Sequence, residues 1–412
     1  MVFIHGGGFL MGANSLPYWQ PKKFVELSQE RKMPVIVVNI NYRLGVLGNL
    51  TSKELRDAGF PGNNSLRDQM CAFEWITIHI REFGGDPTNV TAFGVSAGSV
   101  SVLLHHLSPY TTFNRAIAMS GTPLMLKPRT ESEAQTSYET LMSIFGLDDK
   151  SVEERIEYLI SVSPRELVEK TPMDLHLTPF EDGKLIREAI TFEDLATEEY
   201  DPNKKRPIEL MIGDCQRDGN VYLLMGLGKR FEGLAPALYD SFTRTLDAES
   251  ATLILQSYQI DRSTSDGDAM EAAINLATDI AYFAPVIAFA RSLRFSRAYV
   301  YHFNETNPWD GQFKGISSHY LDAAFLFQNF KGQIWKYSQK AAMRAKEMAC
   351  DFISFAHGRQ PWAAYDETGH LCKVYGVDPL NTGRRETLFE LDKKGVSLDN
   401  LMGAWDEFLA GN

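Results

Sequence analysis

Cysteine is scarce in this sequence. Only Cys71, Cys215, Cys350 and Cys372 occur in 412 residues. Their spacing fits neither a zinc site nor a C-x-x-C redox pair, and so few do not make a disulfide framework. Free thiols are the default expectation, with room for one or two bridges. Basic clusters are equally scarce. The formal charge is −12, so nothing pulls the chain towards phosphate backbones or anionic membrane surfaces. The one dense basic run, "PNKKRP" (202–207), reads as a solvated loop, and no nucleic-acid partner is expected. Long apolar runs are missing too. None reaches the roughly 18 residues of a membrane span, so no transmembrane segment is expected. Internal repeats and low-complexity linkers are absent.

What remains is an ordinary globular balance, 44% hydrophobic and 23% charged, with ample length for a large core. Four N-x-S/T sites, at Asn49, Asn63, Asn89 and Asn304, are a weak pointer to secretion. No leader is expected in this sequence, because Met1 is followed at once by strand-like "VFI" and a glycine triplet. As written the chain reads as cytoplasmic. Secretion is the alternative if a front segment is missing.

Strand and helix alternate along the chain. "MPVIVVNINY" (33–42) is a short β-branched run and reads as a buried strand. "SLRDQMCAFEWITIHIREFGG" (65–85) has apolar residues at helical spacing, a Ser start and a Gly-Gly stop. Trp75 and its apolar neighbours there read as core. "NVTAFGV", "RAIAMSG" (115–121), "RPIELMIGD" (206–214) and "RAYVYHFNET" (297–306) read as further strands. "QIWKYSQKAAMRAKEMACDFISFAHG" (333–358) reads as one long helix. This alternation predicts an α/β fold with a mostly parallel central sheet and helices on both faces. Large helical insertions are expected around 124–205 and 221–293, all within a single domain over 1–412.

The stretch "TAFGVSAGSV" (91–100) carries the chemistry. A G-x-S-x-G match alone is weak, but this one follows a predicted strand and opens a predicted helix, the setting a nucleophilic serine needs. The backbone of such a turn is strained, so Gly94 and Gly98 keep Cβ atoms out of the strand–helix contact. Ala97 leaves its N–H free to face a developing oxyanion. A serine hydroxyl needs a base, and the base needs an acid to fix its tautomer. Of nine histidines, His79, His105 and His106 fall in predicted helices, and His5 precedes the serine. His176 comes before the late strands, His302 lies inside one, and His357 and His370 follow the long helix. Only His319, in "GISSHYLDAAF", sits on the loop just past the last strand. For the acid, "IGDCQRDGN" follows a strand, and Asp214 and Asp218 both qualify. "HGGGF" (5–9) ends the first strand with three glycines whose amides can turn inward to bind an oxyanion.

The chain resembles the type-B carboxylesterase family, which includes the cholinesterases and many fungal and bacterial esterases and lipases. "VFIHGGGF", "VNINYRLGVLG", "PGNNSLRDQMCAFEWI", "FGGDPTNVTAFGVSAGS" and "FNRAIAMSGT" carry the resemblance densely. "PFEDGKLI", "GDCQRDG", "SSHYLDAAFLF" and "FISFAHGRQPW" carry it more sparsely. The resemblance implies the α/β-hydrolase fold and hydrolysis of carboxylic esters of small molecules through an acyl-enzyme, with no cofactor and no metal. It assigns Asp218, before Gly219, as the acid beside Ser96 and His319. It assigns the Gly7, Gly8 and Ala97 amides to the oxyanion hole. It also matches Ser120 and Asp322 to family positions near the site. Three departures stand out. The family's acid is usually Glu, the residue before the serine is often Glu rather than Val95, and a leading segment with extra strands is missing.

The alternative reading is a non-catalytic adhesion homologue of the same fold. Such branches typically lose a triad residue, whereas all three are present here. His105-His106 reads as a helix end rather than a metal site. Asn41, Arg43 and Asp68 read as structural polar anchors. Oligomeric state and the ester itself have no readable code in one sequence.

Overall fold

The computed structural model describes every residue except 111, 198–207, 231, 293, 367–370, 378–382 and 412. The basic run 202–207 and His370 lie outside the described residues. Seven strands form one sheet: β1 (Val2–Ile4), β2 (Val38–Ile40), β3 (Thr91–Val95), β4 (Arg115–Met119), β5 (Ile208–Cys215), β6 (Phe295–Asn304) and β7 (Cys372–Gly376). Their order is β2-β1-β3-β4-β5-β6-β7, and every pairing is parallel. Parallel neighbours need crossovers, and helices supply them.

The period of two along each strand sorts side chains into two cores. Val2, Ile4, Ala92, Ala116, Ala118, Leu210, Ile212 and Val300 join one apolar cluster. Their alternates Phe3, Phe93, Val95, Ile117, Met119, Met211, Tyr299 and Tyr301 join the other. The first face is covered by the helices Asn64–His79, Ala97–Leu107, Leu234–Thr245, Asp266–Thr278 and Leu398–Ala410. The second is covered by Lys22–Glu30, Leu321–Leu326 and Gln339–Ala356. A third, smaller cluster built on Val46, Leu55, Tyr138 and Leu141 lies under the helical stretch after β4.

Several sequence expectations need correction. Only Val38–Ile40 of the 33–42 run forms strand. β7 has no apolar run to announce it, because its residues are Cys-Lys-Val-Tyr-Gly. The long terminal helix is two helices, Lys331–Tyr337 and Gln339–Ala356. Ser338 is extended between them, and its side chain accepts a hydrogen bond from the Ala341 N–H. Trp75 is not core but 46% exposed, on the outer side of its helix beside the His79 and Phe83 rings.

The stretch 221–293 ends in a continuous helical run, Asp266–Arg291, that is long and apolar enough by composition to cross a membrane. However, 83% of its most apolar window is buried inside the fold, which makes it a core helix. It contains a π-helical turn at Asp279–Phe283. Pro285 follows, with no N–H for a regular α bond, so a wide turn there loses little.

All four cysteines are free. Three of the four glycosylation signals are unusable in the folded chain. Asn49, Asn63 and Asn304 are buried, and their amides donate to the Leu177, Phe180 and Val377 carbonyls. Arg43 and Asp68 form a bidentate pair at 2.8 and 2.7 Å, and Asn41 accepts from the Asn14 N–H. These are the anchors expected of them.

Candidate active site

Ser96 stands between β3 and the helix Ala97–Leu107 with φ 55° and ψ −124°. A non-glycine residue there is strained by roughly 1–3 kcal/mol. The strain is held by close packing. A Cβ on Gly94 would lie 2.4 Å from Gly98, one on Gly98 would lie 2.0 Å from the Ile4 carbonyl, and one on Gly121 would lie 2.5 Å from the Ser96 carbonyl. Each glycine therefore lets one backbone touch the next. The Ser96 N–H donates to the Met119 carbonyl at 2.9 Å. The side chain reaches the surface only slightly, at 8% exposure.

The candidate acid and base come from loops after β5 and β6. Backbone bonds tie these loops together: the Gln216 N–H to Phe303 and the Arg217 N–H to Ser317, both at 2.9 Å. The Ser317 hydroxyl closes back on the Phe303 carbonyl at 2.6 Å. Asp218 opens a short 3-10 turn, and its carboxylate meets His319 Nδ1 at 2.7 Å. Its other oxygen accepts the Cys215 N–H at 2.7 Å. Gly219 must be glycine because a Cβ would lie 2.2 Å from the Ile274 carbonyl. Asp218 is fully buried. Burial pushes its carboxyl up, and the hydrogen bond and charge of His319 pull it down. On the far side of the imidazole, Nε2 is buried with no hydrogen-bond partner. Tyr282, from the π turn, packs edge-on to the ring at 5.5 Å.

The glycine run leaves β1 beside the serine turn, since Ile4 pairs with Gly94 in the sheet. Gly7 and Gly8 have φ of 119° and 64°. The Gly7 carbonyl accepts the Leu10 and Met11 N–H groups at 3.0 Å, closing a turn. His5 is structural. Its ring stacks on Tyr42 at 4.5 Å, and Nδ1 bonds the Gly6 carbonyl at 2.8 Å. Ala97 begins a helix, so its N–H is one of the donors left over at a helix N-terminus. The Gly98–Ile4 contact sets this helix start against the glycine run.

Residues 1–387 match the Carboxylesterase family. The chain belongs to this family. It is 27% identical over 391 residues to the para-nitrobenzyl esterase of Bacillus subtilis (strain 168), covering 89% of this chain and 73% of that protein. It is 34% identical over 239 residues to the mouse cholinesterase, covering 55% of this chain and 37% of that one. The match to cholinesterase 1 of Branchiostoma lanceolatum, 31% identical, spans 64% of that protein. The chain thus spans between about a third and two thirds of the length of these cholinesterases. A solved PNB esterase superposes with a TM-score of 0.73 over 94% of this chain and 80% of that one, at 24% identity. The α/β-hydrolase architecture of this carboxylesterase-family chain follows.

Within the carboxylesterase frame the other candidates separate. Asp214 does not approach His319. It pairs with His302 Nδ1 at 2.6 Å across β5 and β6. Burial lowers the basicity of His302, but the Asp214 charge, its hydrogen bond and a Cys372 contact outweigh burial and push it up to about 9. Asp322 accepts from the Tyr301 hydroxyl at 2.9 Å and the Ala323 N–H at 2.7 Å. Burial and the Asp218 charge push its carboxyl up to about 6. Ser120 is buried with φ 49°, and its hydroxyl donates to the Cys215 thiol at 3.7 Å rather than to Ser96, Asp218 or His319. Val95 fills the apolar cluster, so no carboxylate precedes the serine. His105 bonds Gln69 at 2.8 Å, and burial lowers it to about 4. His106 stacks on Phe295.

Three groups at the site escaped the sequence reading: Tyr282, Tyr301 and Tyr320. A tyrosine inside an apolar pattern reads as core. Only for Tyr320, adjacent to His319, was there a positional signal.

Proposed function

We propose that the chain hydrolyses carboxylic esters of small molecules through an acyl-enzyme. Ser96 attacks the carbonyl carbon, and His319 Nε2 takes the serine proton and returns it to the leaving alcohol. Asp218 holds the imidazole with its proton on Nδ1 and stabilises the imidazolium. The Gly7, Gly8 and Ala97 amides receive the oxyanion, each donor being worth roughly 3–4 kcal/mol of barrier. Water then clears the acyl group by the same route.

The observation that carries this reading is the buried Asp218–His319 bond of 2.7 Å with Nε2 left unpartnered, together with a serine held in a strained strand-to-helix turn. The family relatives named as esterases agree in class. The test is p-nitrophenyl acetate turnover by the purified chain and by Ser96→Ala. We expect turnover in the first and a loss of at least about 10³-fold in the second. Equal turnover in both would end the proposal. A series of p-nitrophenyl esters of increasing acyl length then assigns the substrate.

A further inference from the structure

Tyr320 sits where the reaction needs room. Its backbone is left-handed, with φ 74°, a conformation that an aromatic residue adopts only when its surroundings impose it. The ring is held between the His319 imidazole, centroids 4.7 Å apart, and Trp19 at 6.1 Å. This sends the phenol oxygen into the glycine run. A Cβ on Gly6 would lie 2.1 Å from that oxygen and 2.9 Å from the ring carbon bearing it. Glycine at position 6 is therefore what makes a seat for the hydroxyl.

The Ser96 side chain and the Gly7 backbone N–H both favour negative charge on the seated oxygen, which couples it to the two groups the reaction uses. In the proposed mechanism both have other tasks. The Ser96 proton goes to His319, and the Gly7 N–H receives the oxyanion. At the same time His319 Nε2, the acceptor meant for the serine proton, has no partner. An open acceptor on the histidine and a tyrosine oxygen coupled to the serine fit one arrangement. Burial keeps the phenol protonated, pushed up to about 12, so it is a neutral oxygen that a carbonyl oxygen can replace.

Building on the esterase reading, we propose that Tyr320 is a positioning residue of this site: its hydroxyl occupies the oxyanion pocket of the resting enzyme, draws the Ser96 proton away from His319, and gives up its place to the substrate's carbonyl oxygen. Every substrate then competes with an internal ligand. The tyrosine raises KM and slows attack on Ser96 without taking part in the covalent step.

The test uses the full chain and a p-nitrophenyl alkylphosphonate as probe. Ser96 Oγ forms the P–O bond, p-nitrophenolate leaves, and the serine proton passes to His319. Labelling rate is measured for the wild type, Tyr320→Phe, Tyr320→Gly and Ser96→Ala, with KM and kcat for p-nitrophenyl butyrate alongside. Tyr320→Phe removes one oxygen and keeps the ring. Tyr320→Gly also relaxes the left-handed backbone and serves as a second, independent variant. Removing the hydroxyl is expected to speed labelling roughly three- to tenfold, the worth of one or two net hydrogen bonds. KM should fall by a similar factor, with kcat changing less. A purely structural tyrosine would not accelerate anything on removal. Unchanged or slower labelling, or a lower kcat at constant KM, overturns the proposal and leaves the esterase reading intact. Wild-type labelling that persists in Ser96→Ala overturns the esterase reading, and this inference with it.

Discussion

Two histidine–aspartate pairs stand side by side in this molecule, and they differ in what surrounds them more than in how they are built. His319 meets Asp218 at 2.7 Å and His302 meets Asp214 at 2.6 Å. In each pair Nδ1 faces the carboxylate, and all four side chains are largely buried. Yet Asp214 and His302 are strand partners whose side chains point to the face covered by the crossover helix. The Phe283 ring lies over His302, and Cys372 contacts it. The Asp218–His319 pair is lifted beyond the strand ends on two stitched loops, where Nε2 has no partner. A buried acid–base pair is therefore not a site in itself. What sets the Asp218–His319 pair apart is a second ring nitrogen left open, the feature on which the proposed chemistry rests.

This contrast predicts where each pair fails. The largest expected effect is on chemistry: His319→Gln should lower kcat per folded molecule by about 10³–10⁴-fold, measured by ester turnover. His302→Gln should do the opposite. It strands the Asp214 carboxylate, at a cost of about 3–5 kcal/mol, visible as a lower unfolding midpoint. Turnover per folded molecule should be retained.

The pH dependence separates the pairs further. His302 titrates near 9 in the folded chain against 6.5 ordinarily. Because folding raises it, its stabilisation is complete below pH 6.5 and is lost as pH climbs to 9, by an amount on the order of 1–3 kcal/mol. Unfolding measured across that window should show the decline in the wild type and a flatter line in His302→Gln. The smallest effect belongs to Trp75. At 46% exposure, Trp75→Gln should shift stability by no more than about 0.5 kcal/mol, whereas a core tryptophan would cost several times that.

The serine half of the site was legible because backbone geometry there dictates residue type. Gly94, Gly98 and Gly121 are forced by contacts under 2.6 Å, so the turn writes itself into the sequence. His319 was legible from its place after the last recognised strand. The choice between Asp214 and Asp218 was not, since both follow the same strand. The family resemblance favours Asp218, and in the structure it is Asp218 that bonds His319 while Asp214 bonds His302. The shorter aspartate in place of glutamate needs no adjustment, because the loop bond from Arg217 to Ser317 already brings it to 2.7 Å. β7 was missed because an edge strand of five residues has no alternation to read. Trp75 was misread because helical spacing alone does not say which face turns inward. The Tyr320 hydroxyl was invisible, since its place follows from a left-handed backbone that no motif encodes.

The most direct test compares kcat/KM for p-nitrophenyl acetate in Asp218→Asn and Asp214→Asn near neutral pH, each corrected for the folded fraction. The account predicts a fall of about 10³–10⁴-fold in the first and near-wild-type turnover, with lower stability, in the second. A crippled Asp214→Asn beside an active Asp218→Asn would contradict it.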